Sequence, residues 1–457
     1  MTKPKICVIG AGLSGSELVF QLSKLGLDVT VYEPRLSGAY SDEAHCTDKL
    51  GELVCSNSLR SNRLHTAPGL LKEELRLCGS VLISIADDNA IPAGDALAVS
   101  RDDFCKDVTK KILALPNVKV IPEEVTDLRP LIDSYDAVCI CAGPLASKSL
   151  SRSLTSIIGD EYLYFYDAIA PLLSAESINM DICFKASRYG VPGDEQADYI
   201  NCSMSKAQYY KFIDELLKAK KAPLHEGDEG IFFRGCMPIE AMAEDAPDTL
   251  LNGPMRGDGL IDPKTYTTSY AAVQLRQDNV SASIYNMVGF QTRLTYPEQE
   301  RIFRTIPGLE HVEFLRHGSM HRNTFINAPR LLDQDMNLKA QPKVFVAGQL
   351  SGVEGYIESI ASAFYVAEGV AKSVLKKTFL ELPAITAMGS LKRYLMEADP
   401  KTFQPMKINL GLLPALDVDD KKAFLDKGVR RLQTRLALSK RSINCLKNIF
   451  DKGQKLN

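Results

Sequence analysis

Of eleven cysteines in the 457-residue chain, two stand apart by their surroundings. Cys55 lies in the polar segment ELVCSNSLRSN, with Arg60 and Arg63 close in sequence. Cys236 lies in FRGCMPIEAM, a turn-like context between Arg234 and Glu240. A thiol attacks as its thiolate, which positive charge favours where the side chains converge in space. Each residue has a reactive and a structural reading, and both are better candidates than Cys7, Cys139 and Cys141, which fall in apolar strand patterns where small buried thiols are common. The chain has no CxxC pair and no paired Cys/His spacing of the zinc type, so neither a structural metal nor a disulfide framework is expected.

A second constellation is made of glycines. Gly10, Gly12 and Gly15 form GxGxxG between an apolar run ending at Ile9 and a helical pattern over 14–25. The first glycine permits a tight turn and the second lets backbone approach a pyrophosphate. The third allows close helix–strand packing, and the helix amides face the phosphates. Glu33 closes the next strand, where a carboxylate can accept hydrogen bonds from a ribose diol. Near the other end, VFVAGQLSGVEGY repeats the order strand, glycine turn, helix. In two-segment FAD folds such a turn returns to the flavin, which favours FAD over NAD. Gly348, Gly352 and Gly355 would permit the approach, and Tyr356 would stack nearby. The competing reading is an unrelated αβ turn.

These motifs need an α/β scaffold: a two-segment Rossmann-like FAD-binding domain carrying an inserted α/β domain. The expected boundaries are 1–177 for the first FAD segment, 178–332 for the insertion and 333–457 for the second segment. The insertion is marked by aromatics, strand-like runs and Gly/Pro turns. Arg276 in LRQDN and Arg322 in HRNTFIN could bind an anionic cofactor tail or a phosphate, or serve as structural ion pairs. His45 and His65 are candidate acid–base groups or ordinary surface histidines. From Lys421 onward the chain carries a net charge of +9 against −12 for the rest, so this helical tail could attract a polyanion or be a solvated face. No apolar run approaches the ~20 residues of a membrane span, and the start leaves no room for a signal peptide. A cytoplasmic protein without membrane contact is expected.

Together these stretches resemble the folate- and FAD-dependent tRNA (uracil-5-)-methyltransferases. The matching segments run in order over nearly the whole chain: VIGAGLSGSE, ELVCSNSLRSN, GLLKEELR, PAGDALAVSRDDF, YLYFYDAIAP, GCMPIE, VQLRQDN, NMVGFQT, MHRNTFINAP, VAGQLSGVEGYIES and LGLLPAL. CSNSLRSN together with GCMPIE is the most specific feature. The family is related to the larger FAD-dependent enzymes that modify tRNA wobble uridines.

The resemblance implies that NAD(P)H reduces FAD and that methylenetetrahydrofolate donates its one-carbon unit through the flavin. It also implies that a cysteine thiolate adds to uracil C6. Cys236 is the family's candidate nucleophile, and Cys55 is a second catalytic thiol near the flavin. No metal is implied. The segment PRLSGAYSDEAHCTDK has His45–Cys46 where the family usually has a His–His pair, and YINCSM and PMRGDGL also depart from its common forms. These changes leave the flavin and thiol motifs intact but bear on substrate, because paralogues methylate a uridine of 23S rRNA instead of the tRNA T-loop. A small-molecule FAD oxidoreductase and a non-catalytic RNA-binding flavoprotein are the other readings.

Overall fold

Continuous apolar runs at Lys5–Ile9 and Ala137–Ile140 form the middle of a six-stranded sheet, as expected of strands covered on both faces. The computed structural model describes residues 3–38, 45–159, 162–189, 197–223, 237–380, 382–416 and 430–454. For 162–168, 321–322, 430–431 and 452–454 only the backbone is described. The sheet runs Asn337–Leu338, Gln341–Val346, Ala137–Ile140, Lys5–Ile9, Asp28–Tyr32, Val118–Ile121. Every neighbouring pair is parallel except the first. Its strands thus come from both ends of the chain, giving the two-segment Rossmann-like α/β fold.

The two segments are tied at the glycine turns. The first helix, Leu13–Lys24, packs on the helix Tyr356–Val370. Between them, Ser362 Oγ accepts from the Gly348 amide at 2.7 Å and lies 3.4 Å from Ser14 Oγ. One continuous core covers this sheet.

A second six-stranded sheet is antiparallel, in the order Phe184–Lys185, Tyr199–Met204, Ala271–Gln277, Ile284–Met287, Leu172–Ser174, Phe314–Arg316. Its strands begin at Leu172, before the expected boundary at 178, and end at Arg316. A two-stranded ribbon, Tyr162–Ile169 against Ser319–Ile326, carries the chain out and back. Strand alternation gives this sheet two unlike faces. Ile200, Cys202, Val273, Leu275, Met287 and Leu173 pack into a core with the helix Lys206–Lys218. The opposite face carries Tyr199, Asn201, Gln274, Arg276, Asn286 and Arg316. A helix over Arg430–Gln454 ends the described chain and packs on the helix Ala67–Leu77. No described helix is long and apolar enough to cross a membrane.

Candidate active site

A cavity runs across the carboxyl ends of the parallel strands. Gly10, Gly12, Glu33, Gly348 and Tyr356 line it, as do Arg35, His45, Glu52 and Val54. The three glycines of the first turn meet different demands. Gly10 has φ +91°, and a Cβ there would lie 2.6 Å from the Cys141 carbonyl oxygen. A Cβ on Gly15 would overlap the Gly10 carbonyl oxygen. At Gly12 a Cβ would meet nothing, so its bare backbone borders open space at the start of the helix. No side chain caps that helix start, and its amides remain for an anionic group. This cradle fits a dinucleotide pyrophosphate.

Glu33 is buried and already committed. It accepts from the Ala11 amide at 2.8 Å and from the Arg35 amide, Nε and Nη2 at 3.2, 2.9 and 3.1 Å. These four donors occupy a carboxylate's usual capacity. Burial opposes the charge, but the Arg35 bonds, its positive charge and the Ala11 amide outweigh it and hold the carboxyl below the usual range. Arg35 therefore belongs with Glu33 on the wall where a ribose would sit.

The three later glycines also separate. Gly348, with φ +72°, lines the cavity. Gly352 is instead packed under Phe403, whose ring occupies the place of a Cβ. Gly355, with φ +110°, makes room for the buried carboxylate of Glu358. The Tyr356 hydroxyl accepts the amides of Cys55 and Ser56 at 2.7 and 2.9 Å. Tyr356 thus ties the Cys55 loop to the cavity.

Cys55 is half-buried in this loop, and the arginines beside it are not those nearest in sequence. Arg60 pairs with Glu358, and Arg63 pairs with Asp95 at 2.5 Å. Arg101 donates instead to the Leu53 and Cys55 carbonyls at 2.8 and 3.3 Å, and pairs with the buried Asp278 at 2.8 Å. Arg316 donates to the Val54 and Cys55 carbonyls, both at 3.2 Å. Arg276 Nε donates to Asn57 Oδ1 at 3.0 Å, while Asn57 Nδ2 bonds the Gln277 carbonyl at 2.9 Å. The thiol loop is thereby clamped between the parallel sheet's domain and the polar face of the second sheet. Asn57, Arg101, Asp278 and Arg316 were not singled out by sequence. Only the dense polar runs around LRQDN and CSNSLRSN hint at them.

Cys236 lies outside the described residues, as do the side chain of Arg322 and the tail residues Lys421, Lys422 and Lys427. Cys7, Cys139 and Cys141 are buried in the parallel sheet. Burial pushes the Cys7 and Cys141 thiols up to about 12 and that of Cys139 well above the usual range. His65 sits apart, with Asn409 and Arg435, on a second cavity beside the C-terminal helix. Among the described residues no cluster of His, Cys, Asp and Glu is arranged to hold a metal.

A family model described as "Glucose inhibited division protein A" matches residues 5–378. The chain belongs to that family. Within the Glucose inhibited division protein A family it is 49% identical to a Brevibacillus brevis protein over 91% of this chain and 92% of the relative. It is 46% identical to an Acetivibrio thermocellus protein over 94% and 97%. Both relatives bear the name methylenetetrahydrofolate–tRNA-(uracil-5-)-methyltransferase TrmFO. Among solved structures, GidA of Aquifex aeolicus superimposes with a TM-score of 0.67 at 16% identity, covering 100% of this chain and 80% of that one. That likeness shows the shared fold.

Proposed function

We infer that this protein is an FAD-dependent methyltransferase that uses methylenetetrahydrofolate to methylate carbon 5 of a uridine in tRNA, the folate and the tRNA uracil-5 methylation being what the name of its relatives states for them. The T-loop uridine is the target we assign, NAD(P)H the reductant and the cytoplasm the location. The observation that carries this reading is the placement of Cys55. Its loop is fixed to the wall of a dinucleotide cavity on one side and to a polar sheet face on the other.

The glycine turn and first-helix amides would hold the FAD pyrophosphate, with the Glu33–Arg35 pair at the adenosine end. When bound, FAD supplies the hydride chemistry that side chains cannot perform. Arg101 and Arg316 place positive charge beside Cys55, which favours the nucleophilic form of a thiol. Covalent addition to C6 makes C5 nucleophilic enough to accept the one-carbon unit and divides a difficult substitution into easier steps. We assign that addition to Cys236 and a supporting thiol role to Cys55. The uridine must leave its stack to reach either.

The test supplies purified protein with FAD, NADPH, methylenetetrahydrofolate labelled in its one-carbon unit, and two unmodified RNAs, a tRNA transcript and a 23S rRNA fragment. Label in 5-methyluridine of the tRNA is expected, with transfer lost in Cys55→Ala and Cys236→Ala. Label only in the rRNA fragment would reassign the substrate. No label in either, with the flavin bound and reducible, would replace the reading by a small-molecule oxidoreductase.

A further inference from the structure

One row of side chains crosses the polar face of the second sheet. Tyr199 pairs with Arg276, Arg276 with Asn286, Asn286 with Leu172 and Leu172 with Arg316, so all five project from the same face. Arg276 and Asn286 are 7% and 2% exposed. Buried groups of this kind normally find partners, and these largely do not. Nε is the only guanidinium nitrogen of Arg276 that donates to a described residue. The Asn286 side chain makes no hydrogen bond to any described residue, and its Nδ2 is enclosed. Arg316 Nε, at the far end of the row, is enclosed without an acceptor as well.

The missing partner must supply acceptors to a guanidinium and a donor to Asn286 Oδ1. A phosphate or carboxylate has no donor for Asn286 Oδ1. The edge of uracil carries O4 as acceptor beside N3–H as donor, and matches. The row also lies where a reacting base would be needed: Arg276 holds Asn57, two residues from Cys55. Burial lowers the Arg276 pKa, against the opposing effect of Tyr199 and Asp278.

We propose that Asn286 and Arg276 form the uracil-recognition edge of this site, an inference that rests on the uridine-methylating reading above. Asn286 Oδ1 receives N3–H, and the Arg276 guanidinium donates to O4. When a thiolate adds to C6, the new S–C6 bond displaces the C5=C6 π pair toward C4, and the C4=O4 pair moves onto O4. The addition forms an enolate without moving a proton. A guanidinium already aimed at O4 stabilises the charge as it develops, the role of an oxyanion hole. Asn286 also discriminates, because cytosine offers an acceptor at N3 and a donor at C4.

The test uses the full-length FAD-loaded protein, a tRNA transcript and labelled methylenetetrahydrofolate. Asn286→Leu should lower kcat/KM for RNA by roughly 10–100-fold, the cost of leaving one buried hydrogen-bonding group unpaired. FAD content and the KM for methylenetetrahydrofolate should be unchanged. The melting temperature should hold or rise, since an apolar side chain of similar volume replaces an unpaired buried amide. A merely structural Asn286 would give the reverse: a lower melting temperature and intact turnover. Arg276→Lys should reduce kcat more than it raises KM for RNA. Wild-type transfer matched by Asn286→Leu would overturn the proposal alone. A rise confined to the folate KM would overturn it by placing the folate there. Absence of label with the wild-type protein would remove the functional reading and this proposal together.

Discussion

Gly12 and Gly15 are three residues apart in one turn and answer to different constraints. At Gly15 a Cβ would overlap main chain, so Gly15→Ala must displace the turn itself. At Gly12 the same atom enters open cavity. Gly12→Val should therefore fold with a melting temperature close to wild type and purify colourless, whereas Gly15→Ala should lose stability as well as flavin. Absorbance at the flavin maximum, read beside thermal unfolding, separates the two, and yellow Gly12→Val protein would refute the cradle. The glycine turn was legible because its constraint is local: a strand, a turn and a helix within thirty residues. Arg60 and Arg63 misled for the complementary reason. Their nearness to Cys55 is sequential, and each finds its carboxylate elsewhere.

Two helix starts are held by buried carboxylates distant in sequence, a device that composition conceals. Glu17 accepts the Val81 and Leu82 amides at 3.2 and 2.9 Å at the start of the helix Val81–Asp88. Glu74 accepts the Ala387 and Met388 amides at 2.7 and 2.8 Å at the start of the helix Ala387–Glu397, and also the Ser442 hydroxyl of the C-terminal helix. Burial, opposed by the Ser442, Met388 and Ala387 bonds, pushes the Glu74 carboxyl up to about 7. The folded protein thus keeps a proton that the unfolded chain releases near pH 4.5, and stability falls as pH rises between these values. Glu74→Gln lacks this term. The stability difference should shift in the variant's favour by about 3 kcal/mol from pH 4.5 to 7 and stay flat below. Denaturant unfolding of both proteins across that range measures it, and parallel curves would refute the assignment. In sequence, Glu74 is one polar residue in KEELR, and nothing local marks it as buried.

At the scale of the molecule, a sheet built from both chain ends was readable because each end carries its own strand–glycine–helix unit. The second domain's strand-like runs were readable too, but its polar face and the partner of that face were not, since the partner depends on how the two domains meet. Asp278 and Arg101 show the cost of that meeting: a buried pair, 4% and 13% exposed, across the two domains. Asp278→Asn would leave a buried guanidinium uncompensated and should cost about 3–5 kcal/mol. Restoration by the double variant Asp278→Asn/Arg101→Met would confirm the coupling in a double-mutant cycle. The described part of the basic tail is a helix whose apolar residues Leu438 and Leu446 are buried while Lys440 and Lys447 are exposed. If that outer face meets RNA phosphates, Lys440→Ala/Lys447→Ala should reduce the slope of log affinity against log salt by about 2. An unchanged slope would assign the helix to packing alone.

The clamp on Cys55 has a consequence for inheritance. The Cys55 carbonyl is held by Arg101 from one domain and Arg316 from the other, so the thiol's position is owned by neither. A hybrid in which the insertion is exchanged for that of a relative would keep its flavin and its fold, yet set the reactive sulfur by a foreign hand. Such hybrids should fail in turnover first, and the two domains should be inherited as a matched set.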